Sequence, residues 1–324
     1  MEAGVTEKFP GKVLVTGAGG FIGRALCQRL SESGIAHVAA LRAASREQAA
    51  LGDSVVLGDF AAADWTAALT GVDTIAHLAG RADAPRGADA TPYVVANVHV
   101  TRRLLDAAAR MRVRRVILVS TVKVYGEKTA RGKPFRAGDP ARPRDDYARS
   151  KMEAEAVLWQ ICRAAGIEGV VLRLPLTYGP GVKGNFLALM QAVSEGRRLP
   201  VAGVRNRRSL LYVGNAVCAI EQALSAPILT GQTLPIADAP SVSTPELITR
   251  VARALGVPAR LYPAPALLLR AGAMLTGRSR AAARLLGSLE IDAVRFAELT
   301  HWKPQTMLDD GLAATVAWWR LRRQ

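Results

Sequence analysis

The apolar run Lys12-Val13-Leu14-Val15-Thr16 passes straight into Gly17-Ala18-Gly19-Gly20-Phe21-Ile22-Gly23 and then into a stretch through Leu30 with helical character. Strand, glycine turn and helix are therefore predicted in that order. The alternation continues: strand His37–Leu41, strand Ser54–Leu57, a helix near Trp65–Leu69, strand Thr74–Leu78, a long helix from about Tyr93 to Met111, and strand Arg115–Ser120. A further run, Met152, Ala154, Val157, Leu158 and Ile161, repeats at helical spacing. Repeated βα units of this length predict an α/β fold, a doubly wound parallel sheet with helices on both faces. Beyond Arg173 the regularity is lost, apart from a helix ending at Ser194. A second, smaller unit is expected there.

The chain has 324 residues, half of them hydrophobic, enough for one large unit or two domains around a sizeable core. Its formal charge of +16 points to an anionic partner: nucleic acid, an anionic membrane or a phosphorylated small molecule. The local clusters at Arg112 to Arg115, Arg205 to Arg208 and Arg320 to Arg323 are not interleaved with aromatics, so no base-stacking surface is read and no nucleic acid is expected. Cys27, Cys162 and Cys218 form no C-x-x-C pair, which implies no metal and no disulfide framework and suits a reducing cytoplasm. Met1 to Lys12 carries no apolar run, and the greasy patch Pro263 to Leu275 is broken by Arg270, so neither a leader nor a membrane span is expected. The basic, apolar stretch Leu267 to Leu286 reads as a packed helix pair ahead of a helix lying on a membrane surface. The long loop Glu127 to Asp146, rich in Gly and Pro, is expected to be functional or mobile and to cover a ligand.

Three groups of residues carry chemistry. At the turn, Gly17, Gly20 and Gly23 let backbone N–H groups and a helix N-terminus approach a pyrophosphate, with Gly23 allowing close helix–strand packing. The spacing is G-x-x-G-x-x-G, not the commoner G-x-G-x-x-G. At the end of the next strand, about twenty residues on, a dinucleotide fold places the residue that meets the adenosine ribose, and here it is Arg42. An acid would bind the 2′-hydroxyl of NAD; an Arg can pair with the 2′-phosphate of NADP, helped by Ser45 and Arg46, so NADP is favoured over NAD. Further strand ends carry Asp59, Ala79-Gly80-Arg81 and Ser120-Thr121, where ligands of such sheets bind. In Tyr147-Ala148-Arg149-Ser150-Lys151, helical spacing places the phenol and the ammonium one turn apart on one face. A neighbouring ammonium favours the phenolate, which is what proton exchange at a sugar or alcohol oxygen needs at neutral pH.

Taken together, Val13 to Gly23, His77-Leu78-Ala79, Asn97 with Thr101, Ser120-Thr121 with Val124-Tyr125-Gly126, the Tyr147/Lys151 pair, and Leu172-Arg173-Leu174-Pro175 with Tyr178-Gly179-Pro180-Gly181 resemble the extended short-chain dehydrogenase/reductase family, the nucleotide-sugar epimerases, dehydratases and reductases. The resemblance runs from about residue 12 to the C-terminus. It implies a Rossmann-like cofactor domain over 11–175, with a returning segment near 208–240, and a nucleotide-sugar domain over 176–207 and 241–324. It also implies Thr121, Tyr147 and Lys151 as the catalytic set. Cofactor contacts are implied at Gly17, Gly20, Phe21, Ile22, Gly23, Arg42, Asp59, Phe60, Leu78, Ala79, Gly80, Asn97, Ser120, Tyr147, Lys151 and Pro175. Substrate contacts are implied at Arg81, Lys123, Tyr178, Asn185, Arg208 and Arg284, the two last through the nucleotide diphosphate.

Dehydratases of the family carry Asp-Glu after the catalytic hydroxyl, whereas this chain has Val122-Lys123, which leaves epimerase or reductase. Arg42 and the resemblance of Ser120 to Val124 with Gly126-Glu127, Gly179 to Phe186 and Arg284 to Leu289 to a bacterial surface-polysaccharide branch tip the expectation toward a UDP-linked 4-keto-6-deoxy-N-acetylhexosamine reductase, with a UDP-hexose 4-epimerase of the UDP-glucose or UDP-GlcNAc type as the alternative. A nonenzymatic NADP-sensing protein on the same fold is a remoter reading. The expected partner is a UDP-linked sugar; a homodimer is left open, and peripheral membrane contact ranks lower.

Overall fold

In the computed structural model, which describes residues 11–44, 51–82, 89–265, 274 and 285–322, four of the five residues of β1 (Lys12–Thr16) are buried, as a strand covered on both faces must be. On one side of it lie β2 (His37–Leu41) and β3 (Asp53–Val56), and on the other β4 (Val72–His77), β5 (Arg115–Thr121) and β6 (Glu168–Leu174). Next along the chain, β7 (Leu176–Tyr178) and β8 (Leu210–Tyr212) pair only with each other, after which β9 (Thr233–Pro235) returns to the edge of the large sheet beside β6. The order β3-β2-β1-β4-β5-β6-β9 is parallel throughout, the doubly wound arrangement.

Alternate residues of each strand feed opposite faces. Val13 and Val15 face α1 (Phe21–Glu32) and, later in the chain, α6 (Val213–Ser225), in one core. Leu14, Ile75, Val116 and Leu118 face the opposite layer, made by α3 (Val100–Arg110), which follows the one-turn α2 (Thr91–Tyr93), and α4 (Asp146–Ala165). A third core gathers α5 (Gly184–Ser194), α7 (Thr244–Leu255) and the last helix around Tyr178, Phe186, Val251 and Leu312. The chain closes with α8 (Val294–Thr300) and α9 (Leu308–Leu321). Among the described residues no helix is long and apolar enough to cross a membrane.

Three elements depart from the sequence expectation. The helix near Trp65 shrinks to one turn, Ala67–Leu69, because Trp65 is a core residue packed against Phe60, the rings tilted and 4.9 Å apart between centroids. The helix expected from Tyr93 to Met111 is interrupted by a wide, π-type stretch at Val94–His99, of the kind often found at functional sites, and it carries the buried Asn97. The long loop after Glu127 is pinned rather than free: Thr129 N donates to Ser288 O at 3.0 Å, Phe135 N to Glu290 O at 2.9 Å, and Asp292 N to Phe135 O at 2.9 Å.

Candidate active site

The glycine turn is wedged between its own helix and the end of β4. Gly17 has φ +71°, and a Cβ on it would lie 2.7 Å from Ala79 N. One on Gly23 would lie 2.1 Å from Gly17 O, so neither position admits a side chain. Gly20 caps α1 with no side-chain bond to the first turn, and that turn holds no acid. The N–H groups opening the helix at Phe21 and Ile22 are thus free of a competing carboxylate, and together with the glycine cradle they fit the pyrophosphate of a dinucleotide. The Phe21 ring leans toward Gly181, where a Cβ would come within 3.2 Å of it.

Along the carboxyl ends of the strands, Arg42 is exposed just past β2, and Asp59 is exposed past β3 with its Oδ1 accepting from Ala61 N at 3.0 Å. Ser45 and Arg46, named as helpers of Arg42, lie outside the described residues. Phe60 departs from expectation, since its side chain belongs to the core with Trp65; only its backbone remains for a cofactor. Leu78 N donates to Thr16 O, and Ala79 N to Thr16 Oγ1, both at 3.2 Å, which sets the path into Gly80 and Arg81.

The helix α4 is capped by Asp145, whose Oδ1 accepts from Ala148 N at 2.8 Å. This N-cap fixes where Tyr147 and Lys151 fall on the helix. Tyr147 is half-buried in the first turn, its ring centroid 6.2 Å from that of Tyr93 and 5.8 Å from Lys123 Nζ. Lys151 is buried. Burial pulls its ammonium down to about 8, against an upward push from Glu155. A Cβ on Gly80 would lie 3.8 Å from Lys151 Nζ, so the ammonium sits beside the strand-end turn where a cofactor ribose is expected. Thr121 ends β5, buried, with Oγ1 accepting from Lys123 N at 3.3 Å. Lys123, expected at the substrate, is ion-paired with Asp145 and lies 3.8 Å from Glu127.

Asn97 and Ser120 were expected to touch the cofactor, and both side chains are committed elsewhere. Asn97 Oδ1 accepts from Arg81 N at 2.7 Å while Nδ2 donates to Arg81 O at 3.0 Å and to Ser150 Oγ at 2.8 Å. It ties the β4 turn to α4 and so positions the site. Ser120 donates to Glu155, which in turn holds Arg173. That buried pair was not found by sequence reasoning. The signal available was Glu155 at four residues past Lys151 on the same helical stripe.

Of the substrate set, Arg81 and Asn185 are exposed, Asn185 as the second residue of α5. Pro175, expected at the cofactor, is buried in the link between β6 and β7. Arg208 is half-buried, with Nη1 donating to Gly287 O at 3.0 Å. Tyr178 is a correction: it is fully buried, its ring 5.3 Å from Phe186 and 5.6 Å from Tyr212 by centroids. Its burial drives the phenol's pKa far up. This tyrosine is core for the third cluster, not a group that meets a sugar. Arg284 lies outside the described residues.

Residues 13–236 match the NAD dependent epimerase/dehydratase family, and the chain belongs to it. It is 34% identical over 317 residues to a UDP-glucose 4-epimerase of Vibrio cholerae, covering 96% of each chain. Among solved structures, the UDP-glucuronic acid 4-epimerase of Bacillus cereus in complex with NAD superposes with a TM-score of 0.78 at 22% identity, over 97% of this chain and 100% of that one. The UDP-glucose 4-epimerase of Thermus thermophilus in complex with NAD gives 0.78 at 23% identity, over 95% and 99%. At those identities the likeness establishes the fold, a Rossmann-like sheet with flanking helices.

Proposed function

We propose that this chain is a nucleotide-sugar 4-epimerase acting on a UDP-hexose. One observation carries the reading: Tyr147 stands one helical turn ahead of the buried Lys151, on the helix whose lower part packs on the strand ending in Thr121, in a chain 34% identical to a UDP-glucose 4-epimerase over 96% of its length. The relatives favour this over the reductase expected from sequence. Dehydration is disfavoured by the site itself, because Val122 is buried and Lys123 is spent on Asp145 where an acid pair would be needed.

Inversion at C4 requires reversible hydride exchange at the carbon and proton exchange at its oxygen. A nicotinamide dinucleotide, when bound, supplies the hydride exchange. Both solved structures are complexes with NAD, which supports NAD as the dinucleotide, and the exposed guanidinium of Arg42 extends the proposal to NADP. The turn Gly17 to Gly23 would hold its pyrophosphate, with Leu78 to Gly80 and Pro175 lining the way to the nicotinamide. Tyr147 Oη takes the proton of the sugar O4 and returns it, the Thr121 hydroxyl hydrogen-bonds the same oxygen, and the Lys151 ammonium favours the phenolate. An ammonium near a pKa of about 8 is still charged at neutral pH. Arg208, together with Arg284, is assigned to the diphosphate, which guanidinium meets with paired bonds; Arg81 and Asn185 are assigned to the sugar side. A cytoplasmic setting goes with the proposal, in keeping with three free, separate cysteines.

The test is to start from UDP-glucose and, separately, from UDP-galactose and follow the anomeric protons by NMR. An epimerase brings both to one mixture with no net change in cofactor oxidation. Stoichiometric NADPH consumption on a 4-keto UDP-sugar, without interconversion, would return the reading to the reductase; neither reaction would favour the sensor.

A further inference from the structure

Tyr147, Lys151 and Glu155 are spaced four residues apart, so their side chains descend one face of α4. Glu155 is 4% exposed, and a buried carboxylate is costly unless paired and hydrogen-bonded. Its partners come from two neighbouring strands. Oε1 accepts from Ser120 Oγ and from Arg173 Nε, the latter at 3.1 Å, and Oε2 accepts from Arg173 Nη2 at 2.5 Å. Ser120 and Arg173 are register partners across β5 and β6, and the Arg173 guanidinium lies 4.3 Å from the Tyr125 ring centroid. Burial works against the Arg173 charge, but the Glu155 carboxylate outweighs it and leaves that pKa raised. Because Ser120 precedes Thr121, the pair bolts the strand end that carries one catalytic group to the helix that carries the other two.

Lys151 is buried one turn earlier on the same helical face, and the Glu155 carboxylate pushes its pKa upward against burial. Other titratable or charged groups surround Lys151 and Tyr147, and on the same helix Asp146 and Arg149 pair with each other at 2.6 Å. His77 on β4 is neutral, Arg81 follows it in the turn, Tyr93 sits against Tyr147, and Lys123 is paired with Asp145 and lies near Glu127. Arg173 on β6 is paired with Glu155.

We propose that Glu155 is a positioning residue of the proton-transfer machinery: its carboxylate, paired with Arg173 and buried one helical turn from Lys151, keeps the lysine charged beside Tyr147, and Arg173 limits how much of that field the lysine feels. The proposal rests on the epimerase reading for its kinetic consequence but not for its physical one. Removing the Glu155 charge should let Lys151 lose its proton at lower pH and so make the Tyr147 phenolate harder to form. Removing the Arg173 charge should do the reverse.

The experiment is a spectrophotometric titration of tyrosinate absorbance, each protein read against its own Tyr147→Phe counterpart to isolate that phenol, alongside pH–rate profiles on UDP-glucose. Glu155→Gln is expected to raise the Tyr147 midpoint by about one pH unit, and Arg173→Gln to lower it. Since Glu155→Gln leaves a buried guanidinium without its partner, at a risk of unfolding, the double variant Glu155→Gln/Arg173→Gln, with both charges gone, serves as the folded test and should also raise the midpoint. Opposite shifts in the single variants, or a raised midpoint in the double variant where a single one does not fold, support the proposal. Shifts of one sign, or unchanged midpoints with loss of melting temperature alone, overturn it and leave a purely structural ion pair. A wild type inactive on UDP-hexoses would sink the epimerase reading while leaving the titration fully readable.

Discussion

The ring of His77 is strung between two threonines: Nε2 lies 2.8 Å from Thr101 Oγ1 and Nδ1 lies 2.6 Å from Thr16 Oγ1. Thr101 gives its own hydrogen to Asn97 O at 2.6 Å, so it accepts from His77, which places the imidazole proton on Nε2 and makes Nδ1 the acceptor of the Thr16 hydroxyl. The network holds the end of β4 against the helical layer only while the ring is neutral. Burial, with Lys151 adding to it, pulls the His77 pKa down to about 3 from 6.5.

A pH dependence of stability follows. Well above pH 6.5 the ring is neutral in folded and unfolded chains alike and contributes no slope. As pH falls from 6.5 toward 3 the unfolded chain binds a proton that the folded one refuses, so stability falls by up to about 1.4 kcal/mol per pH unit. Urea unfolding between about pH 7 and pH 4 should show this loss in the wild type and a flatter dependence in His77→Asn, which will be less stable at neutral pH. Parallel slopes in the two proteins would contradict the neutral, buried ring.

Tyr147→Phe removes one hydroxyl and almost no volume, so fold, cofactor affinity and sugar affinity should persist. Turnover should fall by about a hundredfold to ten-thousandfold, the usual share of general acid–base catalysis. Lys151→Met should be worse in two respects, losing the phenol's partner and also a donor beside the Gly80 turn, so the cofactor dissociation constant should rise with the fall in kcat. Steady-state kinetics and cofactor fluorescence titration separate the two effects. Wild-type turnover in Tyr147→Phe would remove this tyrosine from the mechanism.

Arg208→Ala should raise KM for the nucleotide-sugar by about ten- to a hundredfold, the loss of charge-assisted bonds to a diphosphate, with cofactor affinity unchanged. The variant also forfeits the bond from Nη1 to Gly287 O, so its melting temperature should be measured in parallel. A loss confined to the cofactor would place this arginine elsewhere.

Arg42→Ala should lower NADP affinity by about tenfold while leaving NAD nearly untouched, because only the 2′-phosphate offers the guanidinium a charged partner. Isothermal titration of both dinucleotides into both proteins decides it. Equal losses for the two would mean that the side chain meets something other than that phosphate.

What could be read from the chain was local. The order of strand, glycine turn and helix, the four-residue step from Tyr147 to Lys151, and the strand end carrying Ser120-Thr121 are fixed by periodicity and by backbone conformations that only certain residues adopt, and they appear where expected. The tertiary structure decided whatever depended on which distant segments became neighbours. Tyr178 reads identically in sequence whether it meets a sugar or, as here, packs against Phe186 and Tyr212. Asn97 turns inward to clasp Arg81 through a widened helical turn that its residue types do not announce. Glu155 meets Arg173 and Ser120 because β6 lies beside β5 under α4, and the loop after Glu127 is held by residues 288–292 from the far end of the chain. Side-chain chemistry is carried by each residue alone, but whether a polar group is spent inside the protein or left for a ligand depends on the partners that folding brings to it, and those are separated in sequence by distances that no local pattern encodes.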